Sequence, residues 1–175
     1  IMTLFPEMFE TFKHSSIIGR AADKKGIIEI NTVNIRDFSK SKQKKVDDAP
    51  YGGGMGMIMT FQPIYDTYLH ITKSLDYKPK VIYMSPQGRV LTQKLAGELS
   101  ECEHIIILCG HYEGVDERLI EEIVDEEISI GDYVLTGGEL PAMVLIDCVA
   151  RLLPGVLSKD ECYLEESHSN GLLEY

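Results

Sequence analysis

The chain has 175 residues, of which 44% are hydrophobic, and a formal net charge of −11 at pH 7. That is one domain's length of chain with enough apolar content for a core. The charge argues against a nucleic-acid binder that relies on this segment's overall field and leaves local basic patches open. No apolar run approaches the roughly 20 residues of a membrane-spanning helix.

Residues 1–5, IMTLF, read as a strand that looks cut at its start, and the chain stops abruptly at Tyr175. It reads as a fragment, or as the ordered part of something longer. Residues 27–35, IIEINTVNI, alternate apolar and polar with β-branched enrichment, which predicts a strand. Residues 40–45, KSKQKK, form a basic surface loop. Gly52, Gly53, Gly54 and Gly56 follow within five positions, a density that suits neither a helix nor a central strand. Either a flexible linker or a loop shaped around a ligand fits there.

A helix is predicted over 61–75, capped by Thr60 with Pro63 in its first turn. Residues 80–85 form a short strand that ends in the turn signal Pro86-Gln87-Gly88. A short helix is predicted over 91–99. Residues 104–109, HIIILC, are continuously apolar, as expected of a parallel strand covered on both faces. Val115, Leu119, Ile120, Ile123 and Val124 mark the apolar face of the next helix. A mostly apolar helix runs over 141–153 and ends at Pro154-Gly155. Strands alternating with helices predict an α/β domain with a mainly parallel sheet. Residues 158–175 are polar and acidic and read as a linker.

Four cysteines (Cys102, Cys109, Cys148, Cys162) show no disulfide-framework spacing. Cys109 and Cys148 sit among apolar neighbours, which favours free thiols and a cytoplasmic protein. The pattern Cys102-x-His104 and Cys109-x-His111 invites a metal site. The apolar run between the two pairs favours strand residues instead, and no CxxC is present. Neither a dinucleotide fingerprint nor a P-loop nor a GxSxG elbow occurs. The most informative stretch is 105–143. There Gly110 and Gly114 follow an apolar strand, and two further loops hold Ser129-Ile130-Gly131 and Gly137-Gly138. Glycines at strand ends let backbone groups approach a ligand closely, so this stretch predicts a small-molecule pocket built mainly from backbone.

Ordered segments along nearly the whole chain carry a resemblance. They are Leu4-Phe5-Pro6-Glu7-Met8-Phe9, Val46-Asp47-Asp48, Pro50-Tyr51-Gly52-Gly53-Gly54, Ser85-Pro86-Gln87-Gly88-Arg89, Tyr112-Glu113-Gly114, Asp116-Glu117-Arg118, residues 129–135, residues 137–142 and Pro154-Gly155-Val156-Leu157. In their order and spacing the chain resembles the bacterial tRNA (guanine-N1)-methyltransferase family (TrmD family) of the SPOUT class. The resemblance implies a mainly parallel sheet flanked by helices, with a deep C-terminal trefoil knot that forms an S-adenosylmethionine pocket. It implies a methyltransferase domain over 1–157 and the start of an interdomain linker over 158–175, with the family's C-terminal tRNA-binding helical domain absent from this chain.

The resemblance also implies roles. Tyr83, Met84, Ser85, Pro86 and Gln87 would form one wall of the donor pocket. Gly110, Tyr112, Glu113 and Gly114 would form a second. Ser129, Ile130, Gly131, Tyr133, Leu135, Gly137, Gly138 and Pro141 would form the third. The implied reaction methylates N1 of the guanosine just 3′ of the anticodon of tRNA. The base would be Glu166, where the family has aspartate. Arg151 would stabilise charge developing on guanine, with Asp147 one helical turn earlier as a candidate partner. Asp47 and Tyr51 would meet tRNA. Mg2+ is a candidate participant in turnover, and the implied assembly is a homodimer with shared active sites. His111 departs from the family's arginine. The competing reading is a module that binds S-adenosylmethionine or RNA without turnover.

Overall fold

The computed structural model describes residues 1–157. Residues 158–175, and with them Cys162 and the expected base Glu166, lie outside the described residues. In chain order the elements are β1 (Met2–Thr3), α1 (Phe9–His14), α2 (Ser16–Gly19), β2 (Val33–Asn34), β3 (Asp47–Asp48), β4 (Ile58–Met59), α3 (Phe61–Thr72), β5 (Lys80–Val90), α4 (Gln93–Ser100), β6 (Ile105–Cys109), α5 (Glu117–Ile123), β7 (Glu126–Ser129) and α6 (Glu139–Ala150). Five strands form a parallel sheet in the order β2-β1-β6-β5-β7. β3 and β4 form a separate antiparallel ribbon.

Side-chain alternation on the central strands explains the layers. Val81, Tyr83, Ile106 and Leu108 point to one face, where they pack with Ile64, Leu119 and Ile123 of α3 and α5. Ile82, Met84, Ile107 and Cys109 point to the other, against Leu95, Leu99, Ala142 and Leu145 of α4 and α6. With both faces covered, β6 has no need of polar residues, which accounts for its unbroken apolar run. Each large side chain buried in this way is worth about 1.5–3 kcal/mol.

The expected strand over 27–35 shrinks to Val33–Asn34. It is an edge strand beside the two-residue β1, so a short partner leaves the rest of the alternating segment without a ladder. Thr60 occupies the N-cap of α3 but makes no capping bond. Its hydroxyl donates instead to the Val46 carbonyl, 3.1 Å away, which ties the helix start to the ribbon. α6 begins at Glu139 and ends at Ala150, so the expected 141–153 is displaced toward the N-terminus. The last residues continue as tight turns, Leu152 N–H to Val149 and Leu153 N–H to Ala150.

The largest departure is β5. Ile82, Tyr83 and Met84 pair with Glu126, Glu127 and Ile128. Residues 85–88 then bulge away, and Arg89 and Val90 rejoin the same strand opposite Ile128 and Ser129. The turn signal at Pro86-Gln87-Gly88 therefore interrupts a strand and does not end it. Gly88 permits the return: a Cβ there would lie 2.4 Å from the Glu127 carbonyl carbon. Among the described residues no helix is long and apolar enough to cross a membrane.

Candidate active site

A cleft of about 420 Å³ opens at the C-terminal ends of β5, β6 and β7, where parallel α/β sheets usually hold their ligands. Every residue expected to line the donor pocket lines this cleft. The bulge after Met84 forms the first wall.

The second wall is the turn after β6. Gly110 lets it lie against Tyr83: a Cβ would meet the Tyr83 ring at 2.7 Å. Tyr112 takes the left-handed region at φ 60°, a conformation seldom adopted outside glycine and asparagine. The wall is fastened from outside by the β3–β4 ribbon. Glu113 N–H donates to Met57, Met59 N–H to Gly114 and Asp116 N–H to Met59, each at 2.9 Å.

The third wall runs from Ser129 to the start of α6. The Ser129 hydroxyl donates to the Gly131 carbonyl at 3.0 Å and accepts the Gly131 N–H at 3.2 Å. At the helix start, Gly138 N–H donates to Gly110 at 2.9 Å, so the second and third walls are stitched together through backbone.

Three carboxylates, Glu113, Glu117 and Glu127, line the cleft. They give it a negative field with no cationic side chain among its lining residues. Burial pushes the Tyr83 phenol up to about 12, with Glu127 and Glu117 adding to the effect. Tyr83 therefore remains a neutral hydrogen-bond donor at pH 7. Burial also pushes the Cys109 thiol well up, with Glu139 adding to it, which makes it a structural thiol and not a nucleophile. His104 packs on the Tyr77 ring at 4.4 Å, and His111 faces Glu139.

The cleft's size falls within the range of small-molecule sites. Its glycines leave backbone exposed for an adenosine, and its carboxylates suit a sulfonium cation. The residues present therefore fit S-adenosylmethionine.

Tyr51 is elsewhere. It is 87% exposed in the glycine loop of the ribbon and lines a second cavity of about 730 Å³ with Phe61, Asp116 and Arg118. The Arg118 guanidinium lies 5.8 Å from the Tyr51 ring centre and is held by Asp116 at 2.9 and 2.6 Å. Asp47, opposite Met59 in the ribbon, lines neither cavity. Nor does Arg151, which follows the last turn of α6 and whose N–H donates to the Asp147 carbonyl at 3.2 Å. At 1.5 Å per residue it stands about 20 Å along the helix from Gly138. The charges of the basic loop are met by Asp37, Asp48 and Asp66 in exposed ion pairs, which contribute little.

Sequence reasoning missed His111, Glu117 and Glu127 as lining residues. Glu117 had been placed on a helix's polar face, and that face turns out to look into the cleft. For Glu127 the signal was present, two positions before Ser129 on the same strand.

Three comparisons bear on this arrangement. A family profile described as tRNA (Guanine-1)-methyltransferase TrmD matches residues 1–175. A tRNA (guanine-N(1)-)-methyltransferase of Ruminiclostridium cellulolyticum is 67% identical over 175 residues, covering 100% of this chain and 75% of the relative. One from Clostridioides difficile is 59% identical, covering 100% and 76%. The crystal structure of tRNA (m1G37) methyltransferase from Aquifex aeolicus superposes with a TM-score of 0.83 at 42% identity, over 96% of this chain and 76% of that one.

Proposed function

The chain belongs to the tRNA (guanine-N1)-methyltransferase family, and from that premise we propose that its cleft binds S-adenosylmethionine for methylation of N1 of the guanosine just 3′ of the anticodon. The observation that carries this reading is the cleft itself, lined by glycines, exposed backbone and three carboxylates. S-adenosylmethionine supplies an electrophilic methyl group on a sulfonium. The protein's tasks are to hold it, to deprotonate guanine N1 and to stabilise the charge that spreads toward O6.

Tyr83, Ser85, Gln87 and the backbone of Gly110, Gly114, Gly131 and Gly137 hold the donor. Glu113, Glu117 and Glu127 favour its positive charge and disfavour an anion in the same place. Glu166 is the base, a carboxylate with one methylene more reach than the family's aspartate. A positioned base contributes about 10²–10⁴-fold. Arg151 stabilises O6 as negative charge develops there.

About 20 Å of helix separates Arg151 from the cleft edge of its own chain. That separation supports a homodimer in which each cleft is completed by the other subunit's Arg151 and Glu166. Asp47 and Tyr51 face the tRNA, with Tyr51 offering an exposed ring for a base to stack on. Mg2+ takes part in turnover, and the chain carries the family's deep trefoil knot.

Labelled-methyl transfer to undermodified tRNA tests the reading. The wild-type protein transfers the methyl group to guanine N1. Glu166→Gln loses about 10²–10⁴-fold in turnover while its donor affinity is unchanged. A Glu166→Gln variant that turns over at the wild-type rate removes Glu166 as the base. A wild-type dimer that binds donor and tRNA without transfer reduces the protein to a binding module.

A further inference from the structure

Glu139 is the most deeply buried carboxylate among the described residues, 1% exposed, and the proposed chemistry leaves it without a task. It sits in the first turn of α6. Its Oε1 accepts the Thr3 hydroxyl at 2.6 Å, and its Oε2 lies 2.7 Å from His111 Nε2. An ionised carboxylate only accepts, so His111 is the donor through Nε2. The Thr3 hydroxyl in turn accepts the Phe5 N–H at 2.9 Å. The imidazole is held edge-on to the Phe5 ring, 4.9 Å between centres.

Gly137 leaves room for this pair. A Cβ there would stand 2.2 Å from His111 Cε1 and 2.7 Å from Glu139 Oε2. His111 lines the cleft on the second wall, while Glu139 begins the helix that closes the third. The pair is thus the side-chain tie between two walls otherwise joined by the backbone bond from Gly138 to Gly110.

We infer that His111 and Glu139 form a latch that holds the second and third walls at the separation the donor requires, which makes His111 a positioning residue for S-adenosylmethionine. The inference rests on the reading of the cleft as the donor site. Without the latch the walls spend only a fraction of their time at binding separation, and apparent affinity falls by that fraction. A pair that served stability alone would lower the melting temperature when broken and leave the affinity of the folded protein untouched.

The test is calorimetric titration with S-adenosylmethionine, run beside thermal unfolding. It compares wild type, His111→Phe, His111→Gln, Glu139→Met and the double variant His111→Phe/Glu139→Met. His111→Phe keeps an aromatic ring against Phe5 and raises Kd about tenfold, as for a binding-competent fraction cut to about a tenth. His111→Gln, whose amide can donate to the same carboxylate, recovers most of that loss. The double variant is no weaker than the weaker single variant, because both remove one interaction. Wild-type Kd in His111→Phe, or losses that multiply in the double variant, overturn the latch. If Glu139→Met does not fold, the contrast between His111→Phe and His111→Gln decides alone: equal affinities overturn the latch. Failure of the wild-type protein to bind S-adenosylmethionine overturns the cleft reading and the latch with it, and is told apart because it needs no substitution.

Discussion

Replacing Gly138 with alanine adds one methyl group at the point where α6 meets the end of β6. The new Cβ would lie 2.7 Å from Cys109 Cα, 2.9 Å from Gly110 N and 3.1 Å from the Cys109 carbonyl carbon. All three are backbone atoms, so no rotamer change relieves them. Ordinary carbon contacts of about 3.5–4.0 Å require the helix start to retreat by roughly 1 Å. That retreat breaks the 2.9 Å bond from Gly138 N–H to Gly110. Overpacking costs about 1–3 kcal/mol and the lost hydrogen bond about 0.5–1.5 kcal/mol, together about 2–4 kcal/mol. For a domain of this length that lowers Tm by about 5–15 °C. The same displacement widens the donor cleft, and a 1 Å misplacement can cost about 100-fold. Backbone strain is not the cause, because φ at Gly138 is −82°, open to any residue. Thermal unfolding and S-adenosylmethionine titration of Gly138→Ala check both numbers. A variant with unchanged Tm and unchanged donor affinity refutes the reasoning.

Gly97 is the counter-case within α4: a Cβ there meets nothing within 4 Å, so Gly97→Ala stabilises by about 0.5–1 kcal/mol, read as a small rise in Tm without change in donor binding. Asp116 caps α5 by accepting the Arg118 N–H at 3.1 Å, and the Arg118 side chain holds its carboxyl below the ordinary value of 3.8. A depressed folded-state value means the contribution is complete above pH 3.8 and is lost as pH falls through the lower folded value. Urea unfolding of Asp116→Asn therefore shows a deficit at pH 7 that shrinks only under strongly acid conditions; a deficit independent of pH refutes the assignment. Arg151→Ala lowers kcat by about 10²–10³-fold with donor Kd unchanged, measured by single-turnover methyl transfer alongside calorimetry.

The donor cleft was legible in the sequence because its walls are glycines and short loops at strand ends, features that local composition records directly. The sheet was legible for the same kind of reason: residues 105–109 can be apolar throughout only if both faces are covered. What escaped were properties set by distant partners. The segment 27–35 has the alternation of a strand, yet how much of it pairs depends on the two residues of β1. Thr60 stands where a cap belongs, but the Val46 carbonyl claims its hydroxyl. The return of β5 to β7 after residues 85–88 depends on a close approach between Gly88 and Glu127, which no periodicity announces. The tie between His111 and Glu139 spans 28 positions and joins residues that looked, respectively, like a local substitution and a polar helix start.

The bond between Thr3 and Glu139 joins residues 136 positions apart. A chain emerging from its N-terminus therefore carries the hydroxyl from the start, and its acceptor arrives only after every strand of the sheet has been made. Contacts of such separation come late, since the loop must close before they reward the closure. The cleft is consequently one of the last parts of the molecule to exist, and a ligand that fits it stabilises the finished fold and no earlier form. Donor binding thus acts as a check on completion: a truncated or half-folded chain has strands and helices but nowhere to put the molecule that the completed protein holds.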